Sequence, residues 1–297
     1  MTLIRFSDRP IMTATQFWEG QMVGEPEVFN WDGRIAMLYT AGDADRPDDH
    51  IGIGLAWSDD GMHWDKNPLN PIIGQGRMGV PTAAHVSHAV ISGVVHVWFR
   101  NGLNIWHSQA LDSTLLKWSA PAVALAIPSN QTWKRLGNSL VLGPWPNGSF
   151  RMIFDYQKAD WNWQEGSAWS YTPQGPFNVD VVSMTGLGSQ TYGALSLASP
   201  PVLTAPAALD VYLLATPDGM VGDKPSAIYR ATNNGGNVLS WNRTGPILTL
   251  AGNDWEYDQV GDPYGFTLPD GRQALYYTGM DNRPTIRSAI GLAIHTT

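Results

Sequence analysis

The sequence contains a repeat that relates its beginning to its end. The first copy runs through VGEP (23–26), WDGR (31–34), AMLYT (36–40) and IGLA (53–56). The second copy runs through VGDP (260–263), PDGR (269–272), ALYYT (274–278) and IGLA (290–293). Pro26 and Pro263 are 237 residues apart, and so are Gly54 and Gly291. This fixed spacing indicates a fold of repeated units in which the first and last units are equivalent.

Each unit has the sequence signature of a small antiparallel sheet. A β-rich run leads to an Asp-Gly pair, which is a strong hairpin signal, and an alternating run and a third strand follow. The first unit continues through the turn SDDGMHW (58–64) to a fourth strand at NPII (70–73). Four antiparallel strands of this length are typical of one blade of a β-propeller.

Weaker copies divide the rest of the chain into similar units. The blades are predicted at about 24–73, 80–125, 137–185, 190–250 and 258–297, with 2–12 supplying the last strand. The predicted fold is therefore all-β, a five-bladed β-propeller with four antiparallel strands per blade. The N-terminal strand closes the last blade, and residues 1–297 form one domain. The alternative is a generic β-sandwich with a coincidental duplication.

Composition limits the partners and the compartment. The 297 residues carry a formal charge of −8 and include no cysteine, so disulfides and cysteine-based zinc sites are excluded. No basic stripe appears, which argues against nucleic acid. No segment predicts membrane insertion or a signal peptide. We expect a soluble protein, either cytoplasmic or, if it comes from a bacteriophage, virion-associated; protein partners stay open.

The first unit carries the motif that suggests a family. The segment IGLAWSDDGMHW (53–64) followed by NPII (70–73) resembles the blade motif of five-bladed propellers in glycoside hydrolase families 43 and 32 and their relatives. Gly261–Pro263 is similar to the Asp-Pro opening of their inner strands. The resemblance implies a carbohydrate partner and a site on the propeller axis.

Those families carry three carboxylates at the starts of inner strands, on blades 1, 2 and 3. Counting back from each hairpin glycine, the matching residues here are Glu25, His85, Asn138, Ser199 and Asp262. Glu25 can stand for the first carboxylate, the base or nucleophile. His85 and Asn138 replace the family's second and third carboxylates, so the resemblance implies a degenerate triad.

Strand direction predicts which loops surround the axial pocket. Aromatic side chains are frequent in these loops, and flat aromatic faces suit the C–H faces of sugars. Some of them are alternatively expected to pack between blades. The residues predicted to contact substrate are Trp18, His85, Asn138, Trp161, Trp163, Tyr192, Trp255 and Tyr257.

The segment 155–165 is the leading candidate for the missing acid. It is predicted as a pocket loop of blade 3 with three carboxylates, Asp155, Asp160 and Glu165, next to Trp161 and Trp163. Burial beside tryptophan raises the pKa of a carboxyl group, as a general acid requires. The alternative is that Asp155 caps its strand and that Asp160 and Glu165 are solvated.

No cofactor is predicted. His85 and His88 lie three residues apart but lack a third metal ligand. The acidic loop 43–49 has alternating oxygens that suggest a structural calcium ion, but it lacks the spacing of an EF-hand loop. We therefore expect no metal at the site.

Two hypotheses of function follow from these residues. In the first, the protein hydrolyses glycosidic bonds, with Glu25 as base or nucleophile, Asp262 tuning the charge and a blade 3 carboxylate donating the proton. In the second, the propeller binds glycans without chemistry, for example as a bacteriophage tail or receptor-binding component. The carboxylates at the inner-strand starts favour the glycosidase.

Overall fold

The computed structural model describes residues 2–43, 50–187, 196–197, 209–215, 227–233, 240–252 and 254–296. In the described part of the chain, two 3-10 helices, Phe17–Glu19 and Asp254–Glu256, interrupt a series of strands. Within these ranges the strands are β1 Thr2–Arg5, β2 Met22–Trp31, β3 Arg34–Gly42, β4 Ile51–Ser58, β5 Asp65–Lys66, β6 Ile73–Gly74, β7 Ala84–Ile91, β8 Val94–Asn101, β9 Asn104–Gln109, β10 Ala122–Leu125, β11 Arg135–Leu142, β12 Phe150–Gln157, β13 Trp163–Ser170, β14 Asn178–Val181, β15 Ser196–Leu197, β16 Asp210–Ala215, β17 Ala227–Thr232, β18 Asn242–Leu248, β19 Gln259–Thr267, β20 Gln273–Asp281 and β21 Arg287–Thr296.

The strands form antiparallel sheets in which neighbours along the chain pair with each other. Three sheets have four strands each, in the orders β10-β9-β8-β7, β11-β12-β13-β14 and β15-β16-β17-β18. A nine-stranded sheet contains β19-β20-β21-β2-β3-β4-β5, with β1 added on β21 and β6 added on β4. The predicted all-β class is confirmed.

The two ends of the described chain meet in the nine-stranded sheet. β1 pairs antiparallel with β21 from Thr2↔Thr296 to Arg5↔Ala293, and Met12 forms a bridge with Ile290. The expected pairing of the N-terminal segment with the last strand is thus observed. A single parallel contact, Met22↔Ser288, joins β21 to β2. The Ser288 hydroxyl reinforces it by donating to the Val23 carbonyl at 3.0 Å.

The hairpin turns follow from the predicted dipeptides. Asp32 and Gly33 both have positive φ, 49° and 78°, between the paired Trp31 and Arg34. Two successive positive φ values define the type I′ turn, whose twist matches that of the strands. Ser92 and Gly93 repeat the geometry between β7 and β8.

A β-bulge interrupts four strands, β2, β7, β11 and β19, at equivalent places. The register shifts between Gly24 and Glu27 in β2, Ala84 and Ser87 in β7, Leu136 and Ser139 in β11, and Gly261 and Tyr264 in β19. Bulges of this kind redirect side chains and are frequent beside active sites. They coincide with the inner-strand positions predicted from the hairpin glycines.

A buried glutamate cluster stabilises the nine-stranded sheet at its first copy. Glu19 is fully buried and accepts hydrogen bonds from the Thr15 and Gln16 backbone N–H groups at 2.6 and 2.8 Å. The Tyr39 hydroxyl donates to it at 2.8 Å, and Lys66 Nζ lies 2.6 Å away. The carboxylate therefore ties a 3-10 helix to β3 and β5.

The same cluster recurs near the end of the chain, with Glu19 and Glu256 spaced by 237 residues and Tyr39 and Tyr277 by 238. Glu256 is fully buried and pairs with Arg5 of β1 at 2.7 Å, as Glu19 pairs with Lys66. Tyr277 packs against the backbone of Gly291, leaving no room for a Cβ there, just as Tyr39 packs against Gly54. The repeat thus extends upstream of Val23, to FWE (17–19) and DWE (254–256).

Candidate functional site

The bulges of β2, β7 and β19 present three polar side chains in an unusual backbone conformation. Glu25, His85 and Asp262 have φ values of 53°, 55° and 45°. Non-glycine residues seldom adopt this left-handed region, and such strain clusters at functional sites. All three are partly exposed, so they remain accessible from solvent.

Direct contacts connect these residues. His85 Nδ1 lies 2.7 Å from Glu25 Oε1, and the His85 backbone N–H donates to Glu25 Oε2 at 2.6 Å. The Glu25 backbone N–H donates to the Thr278 hydroxyl at 2.8 Å, and that hydroxyl is hydrogen-bonded to Asp262. Thr278 on β20 therefore bridges the two carboxylate-bearing bulges.

The two carboxyl groups have pKa values displaced in opposite directions. Burial and the negative charge of Glu25 raise the pKa of Asp262 to about 7. Burial alone would raise the pKa of Glu25 as well, but the charge and hydrogen bonds of His85 lower it to about 2. Neighbouring carboxyl groups with separated pKa values can act as an acid and a base.

The structure corrects the extent of the predicted blade 3 loop. Asp155 belongs to β12 and Glu165 to β13, where they pair directly, so only 158–162 connects the two strands. The alternating hydrophobic pattern of β12 continues through Asp155 into Gln157, which extends the hairpin. Both carboxyl groups are consequently buried, at 1% and 4% exposure.

Asp155 and Glu165 form a buried acidic pair. Burial and the charge of Asp155 raise the pKa of Glu165 well above its usual value. Asn138 of β11, also buried, donates from Nδ2 to Asp155 Oδ2 at 3.2 Å. Glu165 lines a cavity of about 620 Å³ with Thr185 and Trp241. Neither Glu25 nor Asp262 borders that cavity.

The connection between β12 and β13 carries the remaining predicted residues of blade 3. Asp160 is exposed, accepts from the Asn162 backbone N–H at 3.1 Å and pairs with Lys158. These hydrogen bonds lower its pKa, the opposite of the shift expected for a general acid. Trp161 is 62% exposed, whereas Trp163 is buried.

The other predicted aromatic residues differ in their surroundings. Trp18 packs on Tyr39 with ring centroids 6.0 Å apart, and Trp255 stacks on Tyr277 at 5.7 Å. The two tryptophans are therefore part of the duplicated glutamate clusters. Tyr257 is 46% exposed and lies beneath the Arg283 guanidinium. Tyr192, like Ser199, lies outside the described residues.

Arg100 is a residue of the site that sequence reasoning missed. It lies on β8 opposite Ala84, next to the His85 bulge, and the charges of Glu25 and Asp155 act on it. The sequence could have indicated Arg100, because it lies at the end of β8, where the chain enters a loop on the predicted pocket side. Within the described residues no group of three or more His, Cys, Asp or Glu side chains could hold a metal ion.

The described part of the chain includes no helix of the length and apolar character needed to span a membrane. No protein family model matches the sequence. No curated protein matches it closely enough to be counted as a relative.

Solved structures do resemble the fold. The catalytic domain of a family 62 α-L-arabinofuranosidase from Coprinopsis cinerea has a TM-score of 0.71 at 14% identity, covering 97% of this chain and 95% of that one. A Podospora anserina α-L-arabinofuranosidase, in complex with cellotriose, has a TM-score of 0.62 at 11% identity over 97% and 95%. A thermostable family 43 glycoside hydrolase has a TM-score of 0.66 at 11% identity over 94% and 91%. The chain therefore has the β-propeller fold of these glycoside hydrolases.

Proposed function

We propose that the protein is a glycoside hydrolase whose active site contains Glu25, His85 and Asp262. The observation that supports this most is the pair of carboxyl groups, Glu25 and Asp262, linked through Thr278 and displaced in pKa in opposite directions. Hydrolysis of a glycosidic bond requires one ionised and one protonated carboxyl group. The carbohydrate enzymes that share the fold are consistent with this assignment.

The proposed architecture is a single five-bladed propeller formed by residues 1–297. In this interpretation the nine-stranded sheet is two blades, β2–β6 and β19–β21 with β1, joined at Met22↔Ser288. The three four-stranded sheets are the other blades. The bulged first strands then line the axis, which would bring Glu25, His85 and Asp262 to one pocket.

The proposed chemistry assigns one role to each carboxyl group. Asp262 holds a proton near neutral pH and donates it to the leaving glycosidic oxygen. Ionised Glu25 acts at the anomeric carbon, either as nucleophile or as the base that takes a proton from water. His85 and Thr278 position the pair. The bond from the anomeric carbon to the leaving oxygen breaks, and water supplies the replacing oxygen and restores the proton.

Blade 3 has a different proposed role from the one expected from sequence. Asp155 and Glu165 are too buried to contact a glycosidic oxygen at Glu25, and a general acid must reach the atom it protonates. Asp155 acts instead through its charge, which contributes to the raised pKa of Asp262. Asp160 is left without a catalytic role.

The pH dependence of kcat/KM tests this assignment. Because Asp262 must be protonated, activity should fall as pH rises through about 7. Asp155→Asn removes a negative charge that favours the protonated form, so the fall should move to lower pH. Asp160→Asn, which neutralises an exposed carboxylate, is the matched control and should leave the profile unchanged. An unchanged profile in Asp155→Asn would contradict the coupling.

Trp161 is the proposed sugar platform at the rim. Trp161→Ala should weaken glycan binding by about 3- to 10-fold with kcat little changed, because an exposed stacking face is lost. Tyr171, 67% exposed just after the other end of β13, provides the control variant Tyr171→Ala. Titration calorimetry measures both affinities. Equal affinities in the two variants would remove Trp161 from the site.

A structure-independent measurement distinguishes the enzyme from a glycan binder. Screening of aryl glycosides and oligosaccharides should find one substrate that the parent protein turns over and Asp262→Asn does not. Binding without turnover of any bound glycan would favour the non-catalytic alternative. No feature of the described residues favours a bacteriophage component.

A further inference from the structure

Arg100 is a partly buried cation without an ion-pair partner. Its Nε atom is inaccessible to solvent and has no hydrogen-bond partner among the residues that the structure describes. Among the described residues its guanidinium forms no ion pair with a carboxylate. Leaving a buried charged donor unsatisfied is unfavourable, and such groups in native proteins call for an explanation. A ligand that supplies an acceptor would provide one.

The guanidinium lies close enough to the proposed active site for the charge of Glu25 to act on it. Arg100 pairs with Ala84 across β7 and β8, immediately beside the bulge that presents His85. Glu25 and Asp155 both act electrostatically on it, and so does Arg135 of the neighbouring sheet. The residue as a whole is partly exposed.

Two further cations have no carboxylate partner among the described residues: Lys134 directly before β11 and Arg135 at its first position. Lys134 Nζ lies 3.1 Å from the ring centroid of Trp161, and the Arg135 guanidinium lies 5.3 Å from that of Trp163. Neither forms an ion pair with an acidic side chain in the part of the chain that the structure describes. Lys158, by contrast, pairs with Asp160 at 3.1 Å. Arg135 Nε donates a hydrogen bond to Gln157 Oε1 at 3.1 Å. Arg100, Lys134 and Arg135 are thus three cations that form no ion pair among the described residues.

We propose that the site binds an acidic glycan and that Arg100 receives the carboxylate of a uronic acid unit. This inference rests on the proposed function, since it names the substrate class of the same site. The planar guanidinium matches a carboxylate through two parallel hydrogen bonds. Lys134 and Arg135 extend the favourable potential along the sugar chain, with Trp161 contacting a ring face.

The charges around Arg100 favour a ligand group with one negative charge over a group with two. Glu25 and Asp155 already lie within the electrostatic reach of Arg100, so a doubly charged anion such as phosphate would meet more repulsion than a uronate. The formal net charge of −8 likewise disfavours a dense polyanion at long range. A glycan with isolated uronic acids fits both conditions.

The test compares each acidic oligosaccharide with its own carboxyl-reduced form. Glucuronic acid-substituted xylotriose and a galacturonosyl-rhamnose disaccharide, each of which carries a single uronate, are titrated calorimetrically beside their neutral, carboxyl-reduced counterparts. The full chain should bind at least one acidic form about 10-fold more tightly or better, the range for a charge-assisted hydrogen-bonded pair. Equal affinity for both forms of each sugar, or no binding of either, would overturn the proposal.

Variants of Arg100 assign the preference to this residue. Arg100→Met should reduce the acidic-to-neutral ratio to near one, and Arg100→Lys should restore part of it. Arg9→Met, at an exposed arginine, is the control and should keep the full preference. Removing an unpaired cation should not lower the Tm, so loss of folding is not expected to obscure the result. A ratio unchanged in Arg100→Met would contradict the assignment.

The remaining outcomes separate this inference from the proposed function. Turnover of neutral glycosides without preference for uronates would contradict this inference but leave the proposed hydrolysis intact. Uronate binding that depends on Arg100, without turnover of any glycan, would contradict the proposed hydrolysis but leave this inference intact. Inorganic phosphate that competes with the uronate in the parent protein and itself serves as co-substrate would overturn the carboxylate assignment.

Discussion

Glu25→Gln should lower kcat by roughly 10²- to 10⁴-fold, the range for loss of a catalytic acid or base. Glutamine retains the shape of the side chain but cannot carry the negative charge that acts at the anomeric carbon. The left-handed backbone and the bulge can be retained, but the contact with His85 that lowers the pKa of Glu25 loses its charge, so the Tm should fall to some extent while the fold persists. Stopped assays on any identified substrate measure the effect.

The control for this prediction is Asp160→Asn, which removes an exposed carboxylate from the same chain and should leave kcat unchanged. A second readout uses the pKa of Asp262. The charge of Glu25 raises that pKa, so Glu25→Gln should lower it, as followed by NMR titration of the Asp262 carboxyl carbon. Unaltered turnover in Glu25→Gln would exclude Glu25 from the chemistry.

Lys66→Met should destabilise the protein by about 3–5 kcal/mol, the cost of leaving a buried charge without its partner. Glu19 is fully buried and Lys66 Nζ is its counter-charge at 2.6 Å. Methionine fills the space of the lysine stem but cannot neutralise the carboxylate. Equilibrium unfolding in urea measures the loss of free energy.

Two further variants isolate the charge effect. The double variant Glu19→Gln with Lys66→Met should recover much of the loss, because the amide oxygen still accepts hydrogen bonds and no charge remains buried. Lys117→Met removes a 77% exposed lysine that pairs with Asp112 and should change stability far less, because exposed ion pairs contribute little. Similar losses for Lys66→Met and Lys117→Met would show that the Glu19 cluster contributes little.

Much of the fold could be predicted because its signals are local. The Asp32-Gly33 pair specifies a tight turn through backbone preferences that need no tertiary context, and the repeat shows that such hairpins recur. Counting from these turns located Glu25, His85 and Asp262 on bulged strands. All three residues have a positive φ, so these positions share one backbone conformation although their side chains differ.

The site could be predicted only in part, because burial depends on neighbouring strands. Asp155 and Glu165 were expected on an accessible loop, but cross-strand pairing encloses both. Trp18 and Trp255 follow the same repeat as Glu19 and Glu256, and extending the 237-residue spacing upstream would have shown that their equivalence is structural. Arg100 could not be identified as unpaired, since that depends on which carboxylates other strands bring near it.

The pairing of β1 with β21 has a consequence for synthesis on the ribosome. The β1 strand that begins at Thr2 has no pairing partner until Thr296 has been synthesised. Arg5 likewise has no counter-charge until Glu256 has been synthesised. Until then the exposed edge of the unfinished sheet can pair with another nascent chain. Contacts this distant in sequence also slow folding. We therefore expect β1 to become ordered only after β21 has been synthesised.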